Sequence, residues 1–528
     1  MRDPRAVASS PRSRPERRGR RVPLARSAVA SAVVVAFMTL AAGTGLAGSS
    51  TQIPSAGPTD LPTSIGSAVA ARPTGSARVP QNPFLAPNPS QLHKDTWMSD
   101  TQPQSGPLGA GLRVWSTALT EVRTTKSLFF ICGTGGFDRF GRYETACSSP
   151  EQAALVLLDP VTLEVLASQA LPTAGAGNVS SGLSTGYLYI DDQDRAVIPT
   201  ANGTLTIVPQ TGSPSAPDFG TPTVYDLSEA MGGVSTVFSP VPDFKGRIWV
   251  TGRETGIVGV LDTETGAVHT VRLGTSEGIY NSFAVTGTTA FIVTDRRLYR
   301  VTAGTDGVPK VDWSVRYLTD GKQKPGQISD GSGTTPTILG GGKYVAIVDN
   351  APGQEHIVVY RTARTLARGM KREVCRVGIF PKGEGAVEDS LIGFRDSLIA
   401  VNNYGYTIDL STLESTPSVP GVVRVDINPK GRGCHTVWNN TSVTSPNAGL
   451  TLSTGNGLVY AYTRKYDAAG LDVWYWTAID FRTGKVVWER QVGTGSQFDA
   501  YWPLPIIGPD GTLYMSAYGG IIATSDTR

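Results

Sequence analysis

Ala478-Ile-Asp480-Phe-Arg-Thr483-Gly484-Lys485-Val-Val-Trp488 is one copy of a unit that recurs along this chain of 528 residues. Each copy has an apolar strand, then Asp-x-x-Thr followed by Gly or Leu, then a second strand. Aspartate opens a tight turn because its carboxylate accepts backbone N–H bonds two residues on, and glycine readily takes the positive-φ position that follows. The unit therefore predicts the tip of a β-hairpin. The other clear copies begin at Asp159, Asp262 and Asp409.

Weaker copies of the same turn stand between the clear ones. Taken in order, the turns fall near residues 159, 208, 262, 302, 360, 409, 480 and 526. A spacing of roughly 40 to 70 residues is typical of four-stranded propeller blades with variable loops. Charged residues are sparse, glycine is abundant, and long amphipathic helical patterns are lacking. The sequence therefore predicts an all-β fold, a β-propeller of eight four-stranded blades, with seven blades as the alternative.

The two ends of the predicted propeller complement each other. The last turn reaches Asp526 and the chain then stops, so the final blade lacks its outer strand. The segment Leu112-Arg-Val-Trp115-Ser-Thr-Ala-Leu119 has the pattern of such an outer strand. We expect this N-terminal strand to complete the C-terminal blade, which would close the ring and remove an exposed sheet edge.

The unit at 478–488 closely resembles the repeat of PQQ-like, quinoprotein-type β-propellers, and the resemblance spans about residues 112–528. That superfamily includes calcium- and quinone-dependent dehydrogenases as well as non-enzymatic propellers that bind proteins in the bacterial envelope. Its enzyme branch is marked by a vicinal Cys-Cys pair in the cofactor pocket, and this sequence has no such pair. The sequence also has no Cys-x-x-Cys-His motif for haem attachment. The resemblance thus implies the fold and argues against PQQ as a cofactor; it does not imply an activity.

The N-terminal region divides into two parts. The first 26 residues hold nine arginines and two acids, and an uncharged, largely apolar run follows to about Gly48. This is the pattern of an export signal over residues 1–47, with an uncleaved membrane anchor as the alternative. The Pro/Ser/Gly-rich stretch 48–111 predicts a disordered linker, followed by the propeller at 112–528. We therefore expect a secreted or envelope-associated protein that meets the membrane only through its N-terminal segment.

The net charge bears on the class of partner, and the cysteines bear on the disulfides expected in an exported chain. The whole chain carries +3 and its first 26 residues contribute +7, so the remainder carries about −4 and has no basic block. Nucleic acid is therefore disfavoured as a partner. A monomer is expected. Four cysteines in an exported chain predict two disulfides. Cys132 would pair with Cys147 across a long loop, and Cys375 with Cys434 between the outer strands of neighbouring blades.

A binding site is expected at the propeller axis, where the segment leading into each innermost strand is polar instead of apolar. These leading segments begin at Asn178, Gly233, Ile279, Asp330, Glu384, Thr444 and Asp499. A ring of acids and amides would suit a hard cation such as calcium, while aromatic side chains would form a wall for a sugar or an aromatic ligand. The candidate ligand-binding residues are Asn281, Asp330, Glu388, Asp389, Tyr501 and Trp502, with Asp330, Glu388 and Asp389 as the possible calcium ligands.

Two functions remain open at the level of sequence. The first is a non-catalytic propeller that binds an envelope protein, a glycan or a small ligand; it is favoured because no catalytic signature is found. The alternative is a metal-supported propeller enzyme with its site at the channel mouth. Such an enzyme would be either a lactonase- or esterase-like hydrolase or an aberrant quinoprotein dehydrogenase, in which a metal ion polarises a carbonyl.

Overall fold

The computed structural model describes residues 51–124, 126–128, 130–173, 186–233 and 237–527. The export signal predicted over 1–47 therefore lies outside the described residues. Three short strands come first in the chain and are added to blades formed by later residues. They are β1 (Ser64–Gly66), β2 (Thr101–Gln102) and β3 (Arg113–Thr117).

Eight antiparallel blades follow, so the predicted eight-bladed propeller is confirmed. Blades 1 and 2 are formed by β4 (Ile131–Cys132), β5 (Gly136–Phe137), β6 (Tyr143–Ser148), β7 (Ala153–Leu158), β8 (Val165–Leu171), β9 (Tyr189–Ile190), β10 (Arg195–Thr200), β11 (Thr204–Ser213), β12 (Ala216–Phe219) and β13 (Thr223–Asp226). Blades 3 and 4 are formed by β14 (Val237–Pro242), β15 (Ile248–Gly252), β16 (Ile257–Leu261), β17 (Val268–Arg272), β18 (Ala284–Thr286), β19 (Thr289–Val293), β20 (Arg297–Ala303) and β21 (Pro309–Arg316).

The second half of the ring has the same organisation. Blades 5 and 6 are formed by β22 (Thr337–Leu339), β23 (Tyr344–Val348), β24 (His356–Arg361), β25 (Glu373–Gly378), β26 (Ile392–Phe394), β27 (Ser397–Val401), β28 (Ile408–Asp409), β29 (Glu414–Ser415), β30 (Val422–Ile427) and β31 (Cys434–Asn440). Blades 7 and 8 are formed by β32 (Thr451–Ser453), β33 (Leu458–Tyr466), β34 (Asp472–Asp480), β35 (Val486–Thr494), β36 (Ile506–Ile507), β37 (Leu513–Ala517) and β38 (Gly520–Ser525). Three 3-10 turns, Ala201–Gly203, Pro429–Gly431 and Ser496–Phe498, are the helical elements among the described residues.

The predicted aspartate turns have the expected local structure. Asp480 accepts from the N–H groups of Arg482 and Thr483, both at 2.9 Å, and Gly484 follows at φ +71°. Asp159 and Asp262 make equivalent bonds. All three turns connect the third strand of a blade to the fourth, so each is the tip of the blade's outer hairpin.

Asp409 differs from the prediction in its place in the fold. It ends β28, and β28 pairs with β29 in a separate two-stranded hairpin inserted between the second and third strands of blade 6. The outer hairpin of that blade instead turns at 428–433, between β30 and β31. The turn motif depends only on local hydrogen bonds, so it forms equally well in an insertion, and the count of eight is unaffected.

The expected closure of the ring is confirmed. The N-terminal strand β3 pairs antiparallel with β38, and Trp115 lies opposite Ala523. It therefore supplies the outermost strand of blade 8. The carboxylate of Asp526 adds to this closure by accepting from the backbone N–H groups of Leu108, Gly109 and Ala110 at 2.7 to 2.9 Å.

The stretch predicted to be a disordered linker differs most from expectation. Residues 51–111 follow the propeller surface: β1 pairs with the outer strand β35, and β2 pairs in parallel with the inner strand β32. Trp97 and Met98 are buried in the core shared by blades 3, 4 and 5. The segment has few apolar residues of its own, but its backbone satisfies hydrogen bonds of many strands, which composition does not reveal.

Both predicted disulfides are present, Cys132–Cys147 and Cys375–Cys434. The first joins neighbouring strands β4 and β6 of blade 1, and the second joins the outer strands of blades 5 and 6, as expected. Within the part of the chain that the structure describes, no helix is long and apolar enough to cross a bilayer.

Candidate functional site

One end of the central channel is closed by residues 82–104, which we call the belt. The belt hydrogen-bonds to the innermost strand, or the strand beside it, in every blade. The blade-side groups are Phe137 N, Ile190 N, Pro242 O, Val285 N, Ile338 N, Gly393 N, Leu452 N and both backbone groups of Ile507. Two belt side chains, Trp97 and Phe84, lie beside Gly342 and Gly246, which are in turns between the first and second strands of their blades. The belt therefore lies on the same face as these turns.

The opposite end of the channel is formed by the leading segments. The described ones stand directly before the innermost strand of their blades, as predicted: residues 279–283 precede β18, 330–336 precede β22, and 384–390 precede β26. The segments 444–447 and 499–503 precede β32 and β36 in the same way. The predicted segment 178–183 lies outside the described residues, and 233–238 is described only in part.

Between the belt and the leading segments lies a cavity that we call the axial cup, with the belt as its floor. Its main chamber leaves about 60 Å³ for the centres of water-sized molecules, and a smaller chamber with about 30 Å³ adjoins it. Leu92 of the belt, Tyr187, Ile328 and Trp502 line both chambers. A concave, largely apolar cavity with a few converging polar groups is the usual form of a small-molecule site.

Five of the six predicted site residues line the cup. Tyr501 and Trp502 line the main chamber, and Asn281, Glu388 and Asp389 line the smaller one together with Trp502. Trp502 has the left-handed backbone conformation, φ +57°, and its ring meets Tyr406 edge-on at 5.8 Å between centroids. Such strain persists only where surrounding contacts impose it, so the indole is held in a fixed position at the cup wall.

Asp330 is the exception. It does not line either chamber, and its carboxylate lies 3.5 Å from the guanidinium of Arg296. Its backbone carbonyl accepts from Thr319 and Asn350, which fixes the leading segment in place. Asp330 therefore begins the leading segment of blade 5 but does not join Glu388 and Asp389.

The predicted calcium set is accordingly not assembled. Within the described ranges, no three His, Cys, Asp or Glu side chains are grouped so as to hold a metal ion. The Oδ2 atom of Asp389 instead accepts from Asn403 at 2.7 Å, and Asn281 donates to the backbone of Ser332 at 2.7 Å. Asn281 thus joins the leading segments of blades 4 and 5, whereas Asp389 is held within blade 6 by the loop that follows β27.

Burial favours the protonated form of both acids of the cup. Burial raises the pKa of Asp389 to about 7; the hydrogen bond from Asn403 opposes this and the charge of Asp100 adds to it. Burial raises the pKa of Glu388 well above its ordinary value; repulsion from Asp389 and Glu355 adds to this, while a backbone hydrogen bond from Ile328 and the charge of Arg253 oppose it. Desolvation disfavours the charged carboxylate, so the neutral form of both acids is favoured.

A buried cation, Arg253, lines the main chamber. Its guanidinium lies 5.3 Å from the ring centroid of Phe238 and 5.5 Å from that of Tyr280, and the residue is 8% exposed. Arg142 and Arg247 are comparably buried but paired with Asp138 and Asp243, whereas the salt bridges of the described residues do not include Arg253. Its positive charge therefore faces the cup.

At the floor, His93 of the belt connects three elements. Its Nδ1 lies 3.1 Å from Oδ1 of Asp100, and its Nε2 lies 3.3 Å from Oγ1 of Thr335 and 3.5 Å from Oγ of Ser390. All four side chains are buried, and His93, Thr335 and Ser390 line the smaller chamber. The histidine thus joins the belt to the leading segments of blades 5 and 6.

Sequence reasoning did not assign Arg253, Tyr187, His93 or Asp100 to the site. Arg253 directly follows β15, in the connection to the third strand of blade 3, and the aligned leading segments therefore give no signal for it. His93 and Asp100 lie in the stretch expected to be disordered. The one sequence signal that could have pointed to His93 as a site residue is that histidine is rare, with four in the whole chain.

Comparisons with known proteins establish similarity of fold. No protein-family model matches the chain. An uncharacterized protein of Archaeoglobus fulgidus is 25% identical over 276 residues, which are 47% of this chain and 52% of that protein. This chain thus spans about half the length of that relative.

Solved structures similar to the chain are β-propellers. Chaetomium thermophilum Sqt1 bound to the N-terminus of the ribosomal protein L10 has a TM-score of 0.51 at 11% identity, covering 76% of this chain and 98% of that chain. Sqt1 alone has a TM-score of 0.52 at 11% identity, covering 76% of this chain and 96% of its own. A streptogramin B lyase has a TM-score of 0.39 at 10% identity, covering 78% and 97%. At these identities the likeness concerns the β-propeller fold alone.

Proposed function

We propose that this protein is a binding propeller that holds a small aromatic carboxylate in the axial cup. The observation that carries the proposal is Arg253, a buried guanidinium facing a cavity walled by aromatic side chains. A buried charge without a salt bridge is costly, and a ligand carboxylate would supply one through charge-assisted hydrogen bonds. The ring of the same ligand would pack against Tyr501 and Trp502.

The neutral acids are consistent with an anionic ligand. If Glu388 and Asp389 were ionised, two negative charges near the cup would repel a carboxylate. Burial raises both pKa values and so favours the protonated form, in which each acid can donate a hydrogen bond without this repulsion.

We also propose export to the envelope or the medium. The arginine-rich start, the apolar run that follows it and the two disulfides support this location, because structural disulfides persist in oxidising compartments. The repeat around Asp480 supports membership of the PQQ-like propellers. A protein or glycan partner is the competing form of the binding proposal.

The binding proposal is tested by calorimetry on the purified full chain at pH 6, with benzoate, phenylacetate and indole-3-acetate as ligands. Benzamide and glucose serve as uncharged controls. We expect an aromatic carboxylate to bind at least ten-fold more tightly than benzamide, and Arg253→Gln to remove this difference. Arg296→Gln is the matched control, since Arg296 is paired outside the cup with Asp330. Binding of no aromatic carboxylate, or equal binding by the Arg253→Gln protein, would refute the proposal.

A further inference from the structure

We propose that Ser390, His93 and Asp100 form a hydrolytic triad at the floor of the axial cup, acting on small carboxylic esters. The inference rests on the proposed function in one respect, since the ester would occupy the same cup. It goes beyond that function because it assigns bond cleavage to residues that ligand binding alone does not need.

The base of the triad is oriented by an acid, as nucleophilic catalysis requires. His93 Nδ1 is 3.1 Å from Oδ1 of Asp100, and neither side chain is more than 5% exposed. A carboxylate at this nitrogen fixes the tautomer in which Nδ1 carries the proton and donates it to Asp100. The other ring nitrogen, Nε2, is then free to accept a proton.

The nucleophile lies at that second nitrogen. Oγ of Ser390 is 3.5 Å from His93 Nε2, a separation within the looser range found in unliganded sites. Oγ1 of Thr335 is 3.3 Å from the same atom and offers a second hydroxyl beside it. Both hydroxyls and the imidazole line the smaller chamber of the cup, so a group that enters this chamber contacts them.

The backbone that carries the base and the acid is constrained. Lys94, Met98 and Asp100 all have positive φ, at 74°, 55° and 51°. The amide of Asp100 returns to the carbonyl of His93 at 3.3 Å, which closes this part of the belt into a loop. Non-glycine residues in this conformation are strained and are concentrated at functional sites. The same loop brings Asp100 behind the imidazole.

The reaction consumes ester and water and releases an acid and an alcohol. Ser390 Oγ bonds to the acyl carbon while its proton moves to His93 Nε2, and the Asp100 carboxylate stabilises the imidazolium. The bond from the acyl carbon to the alcohol oxygen then breaks, and His93 gives its proton to the leaving oxygen. A water molecule attacks the acyl-serine and yields its proton to His93. The carboxylic acid departs, and Ser390 regains the proton from His93.

The test is covalent labelling of the purified full chain with an alkyne-tagged ethyl fluorophosphonate, followed by peptide mapping in a mass spectrometer. This reagent bonds through phosphorus to an activated serine and releases fluoride, which a buried serine with a merely structural role does not do. The variants are Ser390→Ala, His93→Gln and Asp100→Asn. Ser329→Ala is the matched control, because Ser329 is also buried near the leading segment of blade 5 but lines neither chamber.

We expect the label on Ser390, its loss in Ser390→Ala and His93→Gln, and labelling at least about 100-fold slower in Asp100→Asn. The Ser329→Ala protein should be labelled like the wild type. Ser390→Ala should keep its native circular dichroism and still bind benzoate, so failure of the triad is distinguishable from failure of the cup. An unlabelled Ser390 in the folded wild type, or a label on Thr335 instead, would overturn the assignment. If His93→Gln does not fold, labelling of the Asp100→Asn protein at the wild-type rate would overturn the assignment instead.

Discussion

The side chain of Gln102 hydrogen-bonds to both the backbone N–H and the backbone carbonyl of Ile507, a residue 405 positions away in the chain. Its Nε2 donates to the Ile507 carbonyl oxygen at 2.9 Å, and its Oε1 accepts from the Ile507 N–H at 2.7 Å. Ile507 belongs to β36, the innermost strand of blade 8, which has its blade partner on one side only. One glutamine thus takes the place of a neighbouring strand at the channel.

Gln102→Ala is therefore expected to destabilise the protein by about 2 to 6 kcal/mol. The substitution leaves a buried N–H and a buried C=O without partners, and each unsatisfied group costs about 1 to 3 kcal/mol. Urea unfolding followed by tryptophan fluorescence measures the change. Gln193→Ala is the matched control, because Gln193 is exposed. A Gln102→Ala protein as stable as this control would contradict the role given to the belt.

Asp526→Ala is expected to loosen the closure of the ring by about 1 to 3 kcal/mol, since a charged acceptor of three backbone N–H groups is removed. Asp526→Asn makes an informative comparison. Its remaining oxygen can still accept from Gly109 and Ala110, which both bond to Oδ1, whereas Leu108 bonds to Oδ2. We therefore expect Asn to lie between Asp and Ala in thermal unfolding. Equal losses for the two variants would show that the carboxylate does not hold the N-terminal segment.

Leu163→Gly is expected to destabilise blade 1 by about 2 to 4 kcal/mol, although it relieves a left-handed backbone. Leu163 has φ +60° at the position that glycine occupies in the turns at Asp262 and Asp480, yet it is fully buried. The loss of its buried side chain outweighs the strain of about 1 kcal/mol that glycine removes. Gly266→Ala, where nothing lies within 4 Å, should show the strain alone. Equilibrium unfolding in urea compares the two, and a stabilised Leu163→Gly protein would refute this account.

These turns show what the sequence predicts well and where it stops. The Asp-x-x-Thr motif predicts its own hydrogen bonds, because they lie within five residues, and eight blades follow from its spacing. Whether the turn ends an outer hairpin is not local, and Asp409 proved to belong to an insertion. Similarly, the motif predicts positive φ at Leu163 but not the burial that keeps a leucine there.

The site was predicted in part for the same reason. The leading segments were identified because each stands next to an innermost strand, and this placed Asn281, Glu388, Asp389, Tyr501 and Trp502 together. The floor of the cup was missed. It comes from the belt, whose carbonyls bond to strands as far along the chain as Leu452, the partner of Asp100. A low content of apolar residues is a sign of disorder only when such distant partners are lacking.

Glu144→Gln is expected to make the protein more stable at pH 8 while changing little at pH 4. Burial raises the pKa of Glu144 to about 8, against the hydrogen bond from Gln210. Between the unfolded and folded pKa values the folded state binds one more proton, so stability falls as pH rises through this window. The glutamine amide removes that dependence, for a gain of up to about 4 kcal/mol at pH 8. Urea midpoints at pH 4, 6 and 8 measure it, with the exposed Glu151→Gln as control; parallel pH profiles for wild type and Glu144→Gln would show that Glu144 ionises as freely in the folded protein as in the unfolded chain.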